Sequence, residues 1–376
     1  MIPLSLYVHF PWCVRKCPYC DFNSHEVRGG IPEAEYLEAL MRDLEAALPE
    51  IWGRTVQTVF IGGGTPSLMS AAGLDRLLAG VRSRLTLAPT AEITLEANPG
   101  AIEAAQFAAF RAAGANRLSL GIQSFDDAKL AALGRIHSSA EAERAVELAL
   151  RHFERVNLDL MYALPGQTLE EARRDIETAI AFGPGHLSAY HLTIEPNTAF
   201  HLKPPPVPDD DLAADMQEMV EATLAAAGYA HYETSAFAKP GEQCRHNLNY
   251  WRFGDYLGIG AGAHSKITDP SHHGSIRREA RPRGPRDYLA DPAARAWQPV
   301  APADLPGEFM MNALRLIEGF DPALFEECTR LPVSTIDHAL KQAEAEGLLM
   351  RGNERIAPTP RGQRFLNRLI GLFLAA

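Results

Sequence analysis

The stretch Tyr7–Phe22, YVHFPWCVRKCPYCDF, decides how the rest of the chain is read. An apolar run ends at Phe10, and Cys13, Cys17 and Cys20 follow at once in the spacing C-x3-C-x2-C. Three thiols held this close need a shared partner, and soft thiolates select zinc, Cu(I) or iron–sulfur clusters. Structural zinc sites close four ligands, usually from two Cys pairs or from a Cys pair and a His pair. No second Cys pair exists here, because the remaining two of the five Cys, Cys244 and Cys328, stand far apart. Three thiolates on a [4Fe–4S] cube leave one iron without a protein ligand, open to another molecule. The competing readings are buried structural cysteines or a redox pair, which is ordinarily a lone C-x-x-C.

Outward from this motif, short apolar runs alternate with helical patterns. Strands are expected at Leu4–Phe10, Val56–Ile61, Glu92–Ala97, Arg117–Ile122, Val156–Tyr162 and His186–Ile194. Helices are expected at Glu33–Leu48, Ala71–Leu85, Ile102–Ala113, in segments up to Arg151, and at Leu169–Phe182. Repeated strand–helix units imply parallel strands with right-handed crossovers. Six such units suit an open doubly wound sheet or a partial barrel. In either, residues just after strand ends build the site. Gly62-Gly63-Gly64-Thr65-Pro66 occupies such a position. It is no Walker loop, since no Gly-Lys-Ser/Thr follows. It reads equally as a tight turn or as glycines against which a ligand presses. Glu96, Gln123 and Asp159 lie near strand ends, and a polar group pointing into a barrel needs a partner. That partner is a ligand or a barrel salt bridge, with Arg135 as the available cation.

The Cys spacing, with Tyr19 just before the last Cys, resembles the radical S-adenosylmethionine (SAM) superfamily. LYVHFPWCVRKCPYCDFNSH is similar to the branch containing oxygen-independent coproporphyrinogen III oxidase and the heme chaperone HemW. The resemblance spans nearly the whole chain and favours a partial (β/α)6 barrel, TIM-like, over an open sheet. It implies that Cys13, Cys17 and Cys20 ligate a [4Fe–4S] cluster whose open iron chelates SAM. An electron donor for the cluster is implied with it. In such proteins electron transfer to SAM breaks the sulfonium bond. By motif position, Tyr7, Gly63, Gly64, Thr65, Glu96, Gln123, Arg135 and Asp159 match the family's SAM-contacting residues. Asp159 matches only after a one-residue shift. The oxidase carries one more Cys two residues after the third, where this chain has Phe22, and a longer leading segment. Both differences favour the chaperone over radical decarboxylation of coproporphyrinogen III, and they leave open whether the chain is an enzyme.

Downstream, Cys244-Arg245-His246-Asn247-Leu248-Asn249-Tyr250-Trp251 reads bare as a packed loop. There is no C-x-x-C-H for covalent heme. The segment resembles the HNxxYW motif associated with heme binding in the HemW family, which implies His246 as a heme ligand. Heme is then cargo, passed to acceptor proteins. Glycine-dense Gly254–His264 suggests close backbone approach to a ligand, or tight turns. Lys203–Asp211, KPPPVPDDD, is a stiff connector whose acidic end suits a helix start at Leu212–Ala227. His231–Phe237 is expected to extend or close the sheet. Arg277, Arg278, Arg281, Arg283 and Arg286 form a basic island, read as a solvated loop or as a receiver of tetrapyrrole propionates. His9 and His137 read as ordinary histidines. From Leu305 the pattern turns helical and then, at LLMRGNERIAPTPRGQRFL, gives a hairpin and a final helix, the order of a winged helix.

These features divide the chain into a core over 1–240, a connecting segment over 241–300 and a winged-helix-like domain over 301–376. The chain has 376 residues with 36 basic and 47 acidic side chains, net −11, which argues against a nucleic-acid partner. The C-terminal part, with 8 basic and 10 acidic residues, shares that balance and reads as a covering or docking domain. Clustered thiols without a disulfide framework suit a reducing, cytoplasmic setting. The chain start reads as a strand rather than a signal peptide, and no apolar run is long enough to span a membrane. The tail Phe365–Leu374 is read as docking on the core, with peripheral membrane contact as the weaker option. Oligomeric state is not legible.

Overall fold

The computed structural model describes residues 2–100, 104–269, 274–352 and 354–374. Six strand–helix units follow in order, each strand pairing parallel with the next. They are β1 (Leu4–Phe10), α1 (Glu33–Ala47), β2 (Thr55–Gly63), α2 (Ala71–Arg84), β3 (Thr86–Ala97), α3 (Phe107–Ala113), β4 (Arg117–Gln123), α4 (Ser139–His152), β5 (Arg155–Tyr162), α5 (Leu169–Phe182) and β6 (His186–His191). The expected helix start at Ile102 lies outside the described residues. Strand β3 begins six residues before the expected Glu92, because Thr86 and Leu87 pair with Thr55 and Val56 across a bulge.

Inner faces of β2 and β6 line one cavity although three strands separate them, so the sheet curls into a partial barrel. The outward faces are apolar and are covered by helices. In α4, Ala142, Ala145, Val146 and Ala149 recur at helical spacing and are buried. These small side chains let the helix lie close on the sheet. The helix starts at a capping box, with Ser138 and Glu141 satisfying each other's backbone N–H groups. Such a cap contributes about 1 kcal/mol. A second box, Thr168 with Glu171, starts α5.

The sheet continues beyond the six units on both sides, to twelve strands among the described residues. Helix α6 (Asp210–Ala226) is capped by Asp209. The stretch expected as one strand at His231–Phe237 is instead a hairpin, β7 (Ala230–Glu233) and β8 (Ala236–Ala238). It extends the β6 edge antiparallel and does not close the barrel. On the other edge, β9 (Asp255–Ile259) pairs parallel with β1, followed by the antiparallel strands β10 (His264–Asp269), β11 (Ser275–Ala280) and β12 (Gln298–Pro299). Between β8 and β9, helix α7 (Arg245–Trp251) packs against β1, β2 and β9.

Two expectations for this region need correction. The glycines of Gly254–His264 serve protein packing: Gly260, at φ +102°, lies against the His9 carbonyl and the Tyr36 hydroxyl, and Gly262 lies against Asn23. The basic island is neither one solvated loop nor a free anion receiver, since Arg277 and Arg278 lie on β11. Arg277 pairs with Glu50 and Asp269, Arg278 with Glu308, and buried Arg281 with Asp43 and Glu279. Arg283 and Arg286 alone of the five stay exposed.

The C-terminal part has the expected order of helices and then a hairpin. It comprises α8 (Leu305–Ala313), α9 (Pro322–Thr329), α10 (Asp337–Ala345), β13 (Leu349–Arg351) and β14 (Ile356–Pro358), with two short helices at Pro360–Arg364 and Leu366–Gly371. It packs around its own core of Phe309, Phe320, Phe325 and Leu340, which takes in Phe253 and Ile276 from the preceding segment. Cys328 is a buried member of that core, and the tail docks through Leu369, Ile370 and Phe373. No helix among the described residues is long and apolar enough to cross a membrane.

Candidate functional site

At the C-terminal ends of the strands the curled sheet opens into a cavity of about 430 Å³. Its wall includes Cys13, Cys17, Cys20, Gly63, Gly64, Thr65, Glu96, Gln123, Arg135 and Asp159. The loop after β1 carries the three cysteines, all partly exposed, while Cys244 and Cys328 are buried. Each of the three sulfurs has a polar neighbour. Thr65 Oγ1 donates to Cys13 Sγ at 3.5 Å, Arg135 Nη1 to Cys17 Sγ at 3.8 Å, and Ser24 Oγ lies 3.6 Å from Cys20 Sγ. Burial pushes the Cys13 thiol up; Thr65 opposes this, and the nearby Cys20 and Cys17 sulfurs add to it. Among the described residues no three His, Cys, Asp or Glu side chains converge on a single ion. A [4Fe–4S] cube takes one thiolate per iron, and the three cysteines on this wall would supply three.

The glycine turn fits the loop rather than leaving room for a ligand alone. Gly64 N–H donates to Phe10 O and Thr65 N–H to Trp12 O, so β2 runs on beneath the cysteines. A Cβ at Gly64 would stand 2.5 Å from Trp12 O and 3.0 Å from Cys13 Sγ. One at Gly63, already at φ +120°, would meet His9 and Phe10 O. These two positions need glycine because two backbones and a sulfur meet there.

Glu96 accepts a 3.1 Å hydrogen bond from Gly63 N–H, and no cation pairs with it among the described residues. Burial, then repulsion from Asp159, pushes its carboxyl up to about 8. Asp159 accepts from Ser119 at 2.9 Å and Asn157 at 2.8 Å, and burial also raises it. The expected alternative, a barrel salt bridge to Arg135, does not form. Arg135 Nη2 donates instead to Asn98 Oδ1 and Gly121 O, both at 2.7 Å. Two buried carboxyls without an ion pair are costly when ionised, although Arg117 eases Asp159 through space. A ligand carrying positive charge would relieve both, which is the test that SAM, a sulfonium with an amino group, passes on its chemistry.

Gln123 sits at φ +69°, where β4 slips register against β5. Such a left-handed non-glycine residue costs of order 1–3 kcal/mol and clusters at ligand sites. Asn98 was not singled out by the sequence reading. It joins the site by donating to Thr65 Oγ1 at 2.9 Å and accepting from Arg135. Its position two residues after Glu96 was the available signal, since period two keeps both on one side.

Two residues lie outside the cavity wall. The Tyr7 hydroxyl bonds His9 Nδ1 at 3.0 Å, and its ring rests against Phe60. His246, on α7, is 1% exposed and both its ring nitrogens are engaged: Nδ1 with Thr58 Oγ1 at 2.7 Å and Nε2 with the Tyr250 hydroxyl at 3.0 Å. Burial lowers its pKa to about 3, so the ring is neutral. Its neighbours Cys244 and Asn247, not His246, reach the cavity. His9 and His137 bond Asn23 O and Ile122 O, as ordinary histidines do.

Residues 7–179 match the Radical SAM superfamily and residues 300–365 the HemN C-terminal domain. The chain is 51% identical to "Heme chaperone HemW" of Escherichia coli, over 99% of this chain and 98% of that protein. It belongs to the HemW family of radical SAM proteins. The same name is carried by a Mycobacterium tuberculosis relative, 37% identical over 99% of this chain and 95% of its own length. The solved structure of coproporphyrinogen III oxidase (HemN) from Escherichia coli shares the fold, with TM-score 0.83 over 100% of this chain and 90% of that one, at 24% identity.

Proposed function

We propose that this HemW-family chain is a cytoplasmic heme chaperone that holds a [4Fe–4S] cluster and SAM and passes heme to acceptor proteins. End-to-end identity of 51% to a heme chaperone carries this reading. Cys13, Cys17 and Cys20 would hold the cluster, which draws on an external electron donor. Gly63, Gly64, Thr65, Glu96, Gln123, Arg135 and Asp159 would enclose SAM, with Tyr7 behind them. A reduced cluster would supply the electron that opens the sulfonium bond. The protein's part is to keep the sulfurs hydrogen-bonded, exclude water behind the loop and offer buried carboxylates to the cation.

The carboxylates make SAM binding pH-dependent. Without a cation the folded chain keeps Glu96 protonated up to about pH 8, whereas a free glutamate ionises near 4.5. Between those values the native state binds the extra proton, so this group's stabilising contribution is lost as pH rises through about 8. SAM binding to the ionised form must expel the proton. Affinity is therefore expected to rise by up to about tenfold per pH unit towards pH 8. Glu96→Gln should weaken binding and flatten that slope. Calorimetry in two buffers of different ionisation heat reads the proton directly; equal proton release by both proteins would remove Glu96 from the role.

Heme ligation by His246 would require the ring to exchange Tyr250 for iron. Tyr250→Phe is expected to tighten heme binding several-fold by freeing Nε2, and His246→Ala to weaken it, in a titration followed by the Soret band. Indistinguishable binding by wild type and both variants would exclude His246 as ligand. In the same anaerobic preparation, coproporphyrinogen III with SAM and a reductant should give no divinyl product. Its appearance would replace the chaperone reading with the oxidase.

A further inference from the structure

The cavity is taller than the SAM layer. On β4, Arg117, Ser119, Gly121 and Gln123 all face it. At about 3.3 Å per residue, Arg117 starts about 20 Å below Gln123 along the strand. The cysteines, the glycine turn and Glu96 occupy the upper end. Thr94, Arg117, Asn157, His186, Cys244 and Asn247 line the lower end, and none of them belongs to the proposed cluster or SAM site.

Arg117 is 2% exposed, yet its Nε and Nη1 have no protein acceptor. Thr94 is fully buried, and its hydroxyl has no partner either. The two residues are register partners on β3 and β4, so their side chains leave the same face of the sheet. Glu92 and Asp159 act on Arg117 through space, but its Nε and Nη1 donate to neither of them. Glu92 pairs with Arg155 at 3.0 Å and accepts from His246 N–H at 3.1 Å, and Asp159 is held by Ser119 and Asn157. His186 is fixed between Asn157 and Tyr232. A guanidinium remains charged when buried, and unmet donors on a charged group are costlier than on a neutral one.

We propose that this lower chamber is a second ligand site, taking a small organic carboxylate whose oxygens accept from Arg117 and Thr94. A monoanion suits it better than a phosphate dianion, because Glu92 and Asp159 stand close by and would repel the second charge. The carboxylate would lie between the SAM layer and the floor made by α7. Cys244 and Asn247 of that floor would face its far end. The site rests on the barrel geometry alone and stands or falls separately from heme binding.

The full chain, anaerobically reconstituted with iron, sulfide and SAM, is titrated with propionate against chloride at equal ionic strength. Carboxyl-labelled carbon-13 NMR and the thermal midpoint are the readouts. Saturable binding is expected in the millimolar range, weaker by about tenfold in Arg117→Met and about threefold in Thr94→Val. Inorganic phosphate should bind less well than propionate. Thr94→Val keeps the side-chain shape and decides the matter should Arg117→Met fail to fold. Propionate acting no differently from chloride would mean that water fills the chamber, and would overturn the proposal. So would equal affinity in wild type and variants. Iron and bound SAM are measured in the same samples: a full cluster without propionate binding sinks the lower site alone, and propionate binding without a cluster sinks the reading of the upper one.

Discussion

Cys17→Ala, purified and reconstituted without oxygen, is expected to lose the cluster. Iron and sulfide should fall from about four of each per chain to below a tenth of that, and the visible absorbance should vanish. The reason is geometric. On the proposed assignment three thiolates are the whole protein ligand set, since Cys244 is 2% exposed at the far, lower end of the cavity and Cys328 lies in the C-terminal core. Neither can replace a lost ligand. Cys17 sits on a loop and is partly exposed, so its removal should leave the fold intact, as circular dichroism would show. Cys244→Ala and Cys328→Ala should retain full iron. A cluster that persists in Cys17→Ala, or zinc in place of iron and sulfide in the wild type, would end the cluster assignment.

Asp255→Ala is expected to lower stability by about 3–5 kcal/mol, measured as the shift in a denaturant midpoint. Asp255 is fully buried at the start of β9. One carboxylate oxygen accepts from Arg54 at 2.7 Å and from Thr268 N–H at 3.0 Å. The other accepts from Lys266 Nζ at 3.1 Å and Thr268 Oγ1 at 2.9 Å. Lys266 is only 1% exposed; burial lowers its pKa, and Asp255 is the main force opposing that. Removing the carboxylate strands a buried ammonium and leaves Arg54 without its acid. Asp255→Leu combined with Lys266→Met should recover part of the loss, because the stranded charge goes with its partner. A single-variant loss under about 1 kcal/mol would place the pair with weak surface bridges instead.

Much of the upper site could be read from the chain because its residues follow local rules. The cysteines are adjacent in sequence and share one loop. Strand ends are marked by apolar runs that stop, and the site residues follow them: Gly63 after Ile61, Glu96 after Leu95, Gln123 after Ile122. Capping boxes at Ser138 and Thr168 set the starts of α4 and α5 from a few neighbouring residues. Asn98 escaped because its role depends on Arg135, 37 residues later. The arginine island misled because Arg277, Arg278 and Arg281 find acids up to 238 residues away, including Glu50 and Asp43.

By itself the sequence determined the six strand–helix units, the sulfur-bearing loop and the family, since each is written in short-range pattern and motif. Only the folded chain decided which polar groups meet. It turned the glycine tract into the seat of the cysteine loop, drew Arg135 away from the carboxylates, and placed β9 beside β1. It also buried His246 between Thr58 and Tyr250 and left Arg117 with unmet donors. Those outcomes depend on curling a sheet so that strands distant in sequence share one interior, where a charge must be matched by whatever the far wall presents.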